Sequence, residues 1–211
     1  AWNIVTSLND TEARNMGRDA VTEHDLRYDR ADEFMEVVLG HWDTWEDDAF
    51  ILDKDTRQFA HPDKVHRLDH RGEFFASRGP FTVPRSPQGH PVLIQAGQSG
   101  RGQRFAAAWG EVIFSGFPNL EAGKKAYASL KAQTEATGRD PDSMKITSFM
   151  APIVAATKDE AEDKRAILAD LPVEEDSLML LSEALNFDFG SKPIDEPMTD
   201  AELDSMSGLQ T

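Results

Sequence analysis

The stretch "IQAGQSGRG", residues 94–102, breaks an apolar run, Pro91-Val92-Leu93-Ile94, into small and polar residues just before helix-prone Phe105 to Trp109. Gly97, Gly100 and Gly102 let the backbone come close to a ligand. N–H groups at the start of a helix point outward and carry partial positive charge, so they favour an anion. Ser99 can donate its hydroxyl to that anion, and Arg101 or Arg104 can add charge. The stretch therefore predicts a phosphate seat. Its spacing is neither G-x-G-x-x-G nor a Walker A loop, and a plain glycine-rich turn from strand to helix accounts for it equally well.

A second group is "EHDLRYDRADEF", in which His24 and Tyr28 are four residues apart. On a helix they share a face, where an imidazole and a phenol can hydrogen-bond a polar ligand. The alternative is that Tyr28 opens an apolar stripe and His24 is a surface residue. In "AWNIVTS", Asn3 falls mid-strand, where a buried amide must find partners, and Thr6 and Ser7 fall near the strand's carboxyl end. Of the remaining histidines, His66 and His70 have i, i+4 spacing, but Gly72 and the nearby prolines argue against a helix, so no metal site is expected. No G-x-S-x-G elbow supports a Ser-His-Asp centre.

These residues need elements to hold them. Tyr28, Ala31, Phe34, Met35, Val38, Trp42 and Trp45 recur at three- and four-residue steps, the stripe of an amphipathic helix, with Asp32, Glu33 and Glu36 assigned to the opposite face. Ser7 to about Thr22 reads as polar loop. Residues 47–91, with Pro62, Pro80, Pro84, Pro87 and Pro91, read as an irregular insertion holding one hairpin in "HRGEFFASRGPF". From there the pattern is regular: strand 92–95, helix 102–109, strand 112–114, and a helix capped by Asn119 and ended by Gly138. Strand 145–155 follows, then a helix opened by the capping box Thr157 to Glu160, a helix over 177–186, and a loosely ordered acidic tail from Gly190. Alternating strands and helices imply an α/β fold with a parallel sheet. A doubly wound open sheet and an eight-stranded barrel both fit; only four strands are countable, so the second reading requires half a barrel.

Bulk properties exclude several classes. The chain has 211 residues, 39% hydrophobic and 28% charged, as in globular proteins. A formal charge of −16 argues against nucleic acid as a partner. No apolar run is long enough to suggest a membrane span, and no signal-peptide pattern is read. With no cysteine, disulfides and thiolate metal sites are excluded, which is compatible with a cytoplasmic setting. The abrupt β-prone start, Trp2 to Thr6, gives the expectation that the chain begins inside a domain.

Taken together, "AWNIVTSLNDTEARNMG", "EHDLRYDRADEFMEVV", "LDHRGEFFASRGPF", "PRSPQGHPVLIQAGQSGRG" and "FAAAWGEVIFSG" resemble the flavin-dependent monooxygenases of the bacterial luciferase-like superfamily, in the branch of nitrilotriacetate and dibenzothiophene-sulfone monooxygenases. The resemblance implies a partial (β/α)8 TIM barrel, about strands 4 to 7, as one domain over 1–211, with 47–91 inserted after helix 4 and strands 1–3 and 8 lacking. It implies cofactor-binding roles for His24 and Tyr28 at flavin mononucleotide, for Ser99 and the Gly100 backbone at its phosphate, for Asn3 near the isoalloxazine side of the pocket, and for Thr6, Ser7 and Ala96. It further implies reduced FMN supplied by a separate NADH:flavin reductase, O2 as co-substrate, and a small-molecule substrate of the aminopolycarboxylate, sulfone or alkane class. A homo-oligomer is expected for the full-length protein. The rival expectations are a deazaflavin-dependent oxidoreductase on the same fold and an inactive barrel fragment.

Overall fold

A computed structural model of the chain describes residues 1–207. In chain order the elements are β1 (Trp2–Ile4), α1 (Asp10–Asn15), α2 (His24–Trp42), β2 (Phe50–Asp53), β3 (Gln58–Ala60), β4 (His70–Arg71), β5 (Ala76–Ser77), β6 (Leu93–Gln95), α3 (Gly100–Trp109), β7 (Val112–Ser115), α4 (Leu120–Ala136), β8 (Lys145–Ser148), α5 (Lys158–Asp170), α6 (Glu174–Leu185) and α7 (Asp200–Ser205). They form two compact units, one of Ala1–Thr6 with Asp25–Thr147, the other of Ser7–His24 with the chain from Ser148 on.

The first unit is built on a four-stranded sheet in the order β1-β6-β7-β8. β1 and β6 run parallel with Asn3 opposite Ile94, and β6 and β7 run parallel with Ile94 opposite Val112. Strand side chains alternate between faces. Ile4, Leu93 and Ile113 fall on the helix face, where they pack with Tyr28, Met35 and Phe105 in one cluster and with Ala106, Ala107, Leu130 and Met144 in another. Burying one such side chain stabilises by about 1.5–3 kcal/mol. The same alternation turns Asn3 to the other face, where it is exposed, and Phe114 there is 47% exposed. The expected buried amide at Asn3 is thus corrected: it is one position out of register with Ile4.

The segment 47–91, expected to be an insertion, holds two hairpins, β2–β3 and β4–β5. The second is the expected one, closed at Gly72, whose N–H donates to the Phe75 carbonyl at 2.9 Å. The first was unexpected; Asp53 Oδ1 turns the chain by accepting from the N–H of Asp55 (2.8 Å) and Thr56 (3.1 Å). Side chains of α2 and its C-terminal end strap the segment down. Trp45 Nε1 donates to the Phe81 carbonyl (2.9 Å), and Thr44 Oγ1 accepts from Phe81 N–H (3.0 Å). Glu33, assigned to the solvent face, instead accepts from the N–H of Phe74 and Phe75, both at 2.8 Å, and lies 3.0 Å from His70 Nε2. Asp32 is likewise engaged, as described below.

In the second unit, α1 interrupts the stretch expected to be loop. Asn9 caps it by accepting from Glu12 N–H. Thr157 caps α5 as expected, while the Glu160 carboxylate reaches Ala156 N–H rather than that of Thr157. Asn186 ends α6 in the left-handed region, φ 52°. The acidic tail carries α7, opened by a full capping box between Thr199 and Glu202. Bonds from Thr199 and Lys192 hold the Glu202 carboxyl down at about 2. β8 stops at Ser148, short of the expected Ala155. Among the described residues no helix is long and apolar enough to cross a membrane.

Burial raises the pKa of Glu33, but the bonds from His70, Phe74 and Phe75 outweigh it and leave the carboxyl below its ordinary 4.5. On acidification the unfolded chain therefore takes up this proton first. The stabilisation is complete above 4.5 and is lost as pH falls through the folded value. Glu33→Gln is expected to lower the melting temperature by a few degrees at about pH 7 and by less at about pH 3. Melts at both pH values check this; an equal deficit at both contradicts it.

Candidate anion site at the start of α3

β6 ends at Gln95, whose side chain is buried and whose Oε1 accepts from Gly97 N–H at 2.7 Å. That bond bends the strand into the loop and leaves Ala96 exposed. Ser99 is the N-cap of α3, with Oγ accepting from Gly102 N–H at 3.0 Å. By helix geometry the N–H groups of Gly100 and Arg101 have no intrahelical acceptor. A Cβ placed at Gly100 would meet only Arg104 Nη1, at 3.9 Å. Here, then, the backbone is accessible to a ligand.

The other two glycines serve a different purpose. A methyl group at Gly97 would stand 2.5 Å from Gln95 Nε2 and 2.7 Å from the Tyr28 hydroxyl. One at Gly102 would stand 2.8 Å from the same hydroxyl and 3.1 Å from Gly97 Cα. The glycines thus admit the tip of Tyr28, a buried residue on α2 whose ring packs 5.6 Å from that of Phe105. Two separate sequence signals, the tyrosine and the glycine-rich loop, meet in one place.

Arg101, a candidate phosphate ligand from its sequence position, faces α2 instead. Its Nη2 donates to Asp32 Oδ2 at 2.5 Å and Asp29 Oδ1 at 2.9 Å, and its guanidinium lies 5.4 Å from the Tyr28 ring centre. Burial pulls its pKa down, but Asp32 and Asp29 hold it above the ordinary value. Its charge is already matched by two carboxylates. Trp109 Nε1 donates to the other oxygen of Asp32 at 2.6 Å.

The expected residues divide accordingly. Tyr28, Ala96, Ser99 and Gly100 lie together around the β6–α3 turn. Asn3 is on the neighbouring strand but on the exposed sheet face, and Thr6 follows that strand half-buried. His24 opens α2 one turn before Tyr28 and is half-buried. Ser7, in the second unit, is exposed with φ 55°. Gln95, Asp29, Asp32 and Trp109 were missed. Gln95 was signalled by ending an apolar run in a polar residue, and Asp32 by sitting one turn after Tyr28.

Comparison with known proteins decides the family: the model of luciferase-like monooxygenases matches residues 1–201. The chain belongs to that family. It is 48% identical over 200 residues to dibenzothiophene-sulfone monooxygenase of Rhodococcus erythropolis, covering 95% of this chain and 44% of that protein. It is 39% identical over 211 residues to nitrilotriacetate monooxygenase component A of Aminobacter aminovorans, covering all of this chain and 46% of that protein. The solved structure of riboflavin lyase with modified FMN and substrate riboflavin matches 99% of the chain and 46% of its own, at TM-score 0.89 and 36% identity. Solved family monooxygenases superpose as well, so the α/β fold resembles that of luciferase-like barrel enzymes. The chain spans about half the length of the curated relatives it matches.

The packing of Tyr28 against the two glycines is directly testable. Gly97→Ala is expected to cost about 1–3 kcal/mol through overpacking. Tyr28→Phe in the Gly97→Ala background should recover part of that loss, because it removes one of the two side-chain atoms the methyl meets, the other being Gln95 Nε2. Thermal melts of the two single variants and the double variant check this; strictly additive losses contradict it.

Proposed function

We propose that this chain carries the flavin site of a two-component monooxygenase that uses reduced FMN and O2 to oxygenate a small organic substrate. The observation that carries the proposal is the open backbone at Gly100, beside the Ser99 cap and at the N-terminus of a ten-residue helix. Backbone N–H groups, a hydroxyl and the exposed Arg104 form a donor set suited to a phosphate dianion. The residues present therefore fit the phosphate end of FMN. The family match, and the modified FMN held by the similar riboflavin lyase, support flavin as the ligand class.

Reduced FMN, when bound, supplies the electrons that activate O2 for transfer of one oxygen atom to the substrate. The chain's own residues bind and orient. The N–H groups of Gly100 and Arg101 and the Ser99 hydroxyl would receive the phosphate. Tyr28 fixes the loop that presents them. On the family resemblance alone, His24, Asn3, Thr6, Ser7 and Ala96 are proposed as further cofactor-binding residues. The insertion 47–91, strapped to α2, is proposed to exclude water from the pocket.

The family resemblance supports a separate NADH-dependent flavin reductase as partner, and one relative is named as a "component A". The substrate is proposed to belong to the sulfone, aminopolycarboxylate or alkane class, and the full-length protein to be a homo-oligomer.

Ser99→Ala in the full chain is expected to weaken reduced-FMN binding by about 1.5–3 kcal/mol, the worth of a hydrogen bond to a charged group. Anaerobic titration measures it. Unchanged affinity, with the variant folded, contradicts the phosphate assignment.

A further inference from the structure

An N-terminal seat on α3 binds an anion only where the helix is held, and α3 is held from both ends by one carboxylate. Arg101, in its first turn, donates to Asp32 Oδ2 at 2.5 Å, and Trp109, its last residue, donates to Asp32 Oδ1 at 2.6 Å. These donors are eight residues apart, about 12 Å along a helix axis. Asp32 stands one turn after Tyr28 on α2, and Tyr28 in turn props Gly97 and Gly102. The loop, the first turn of α3 and its last residue are thus all referred to one short stretch of α2.

A guanidinium beside an anion seat has two possible uses. It can bind the anion, or it can bind the protein so that something else binds the anion. Arg101 has the second arrangement: its side chain is 12% exposed and paired to Asp32 and Asp29, and its guanidinium carbon lies over the Tyr28 ring. With two carboxylates on one guanidinium, the local charge is about −1, which by itself disfavours a phosphate. The arrangement makes sense only if what it gains in geometry exceeds that repulsion. Dipole and hydrogen-bond contributions at a helix N-terminus fall off within one turn, so a small displacement of α3 removes them.

We propose that Asp32 is a positioning residue for the flavin phosphate: by accepting from Arg101 and Trp109 it fixes the N-terminus of α3 against the β6 loop and withholds Arg101 from the anion. This inference rests on the phosphate reading above.

The test is anaerobic titration of the full chain with reduced FMN and with reduced riboflavin, which lacks the phosphate. The ratio of the two affinities isolates the phosphate's share. Wild type is expected to favour FMN. Asp32→Asn, nearly isosteric, and Arg101→Gln should each lower the ratio by about tenfold, with a double variant no worse than either single one, as for residues acting as one unit. Trp109→Phe, which keeps an aromatic ring and loses only the N–H, should lower it by less, and serves if Asp32→Asn fails to fold.

A ratio that rises in Asp32→Asn while falling in Arg101→Gln makes Arg101 a direct ligand freed by the substitution and overturns the proposal. Melting temperatures that fall while the ratios stay at the wild-type value reduce Asp32 to a purely structural role and overturn it too. A wild type that binds both flavins equally defeats the phosphate reading itself, and this inference with it.

Discussion

The Asp32 carboxylate receives one donor from each end of α3 and so ties that helix to α2 beside the β6 turn. Tight charge-assisted pairs are stronger than neutral ones, and partial burial of Arg101 reduces screening by solvent. Removing one partner would leave a guanidinium largely withdrawn from water. The interaction is therefore more costly to break than to do without, which is how a pair comes to act as a geometric reference. Glu33, the next residue on α2, performs the corresponding task for the insertion by clamping the N–H groups of the β4–β5 turn. One helix thereby positions both the glycine-rich loop and the long segment after it.

The glycines follow from the same constraint. Two of the three make room for a protein side chain, the Tyr28 hydroxyl, and only Gly100 leaves the backbone accessible to a ligand. A stretch that reads as uniformly permissive is divided by structure between internal packing and recognition. The proposed anion seat is correspondingly small: a cap hydroxyl, first-turn N–H groups and Arg104, with Arg101 diverted.

Much of this was legible in the residues. The alternation of strands and helices, the caps at Asn119 and Thr157 and the turn at Gly72 are local signals, and each lies where its chemistry places it. What escaped is non-local. Asp32 and Glu33 look like solvent-face carboxylates because periodicity registers only the apolar stripe; their partners lie 69 and 42 residues away. The β2–β3 hairpin has no glycine at its turn, which Asp53 and a positive φ at Arg57 make instead. Asn3 was expected to be buried, but three residues of strand do not set register until Ile4 is seen packing against Tyr28, which leaves Asn3 exposed on the opposite face. At the site, motif spacing located the β6–α3 turn and Tyr28, but could not show that they touch or that Arg101 is already paired.

A crystal structure of the full chain with FMN addresses the central claim directly. The phosphate is expected within about 3 Å of the N–H groups of Gly100 and Arg101 and of the Ser99 hydroxyl, with Arg101 still paired to Asp32. A phosphate bound away from the start of α3, or gripped by an Arg101 released from Asp32, contradicts it.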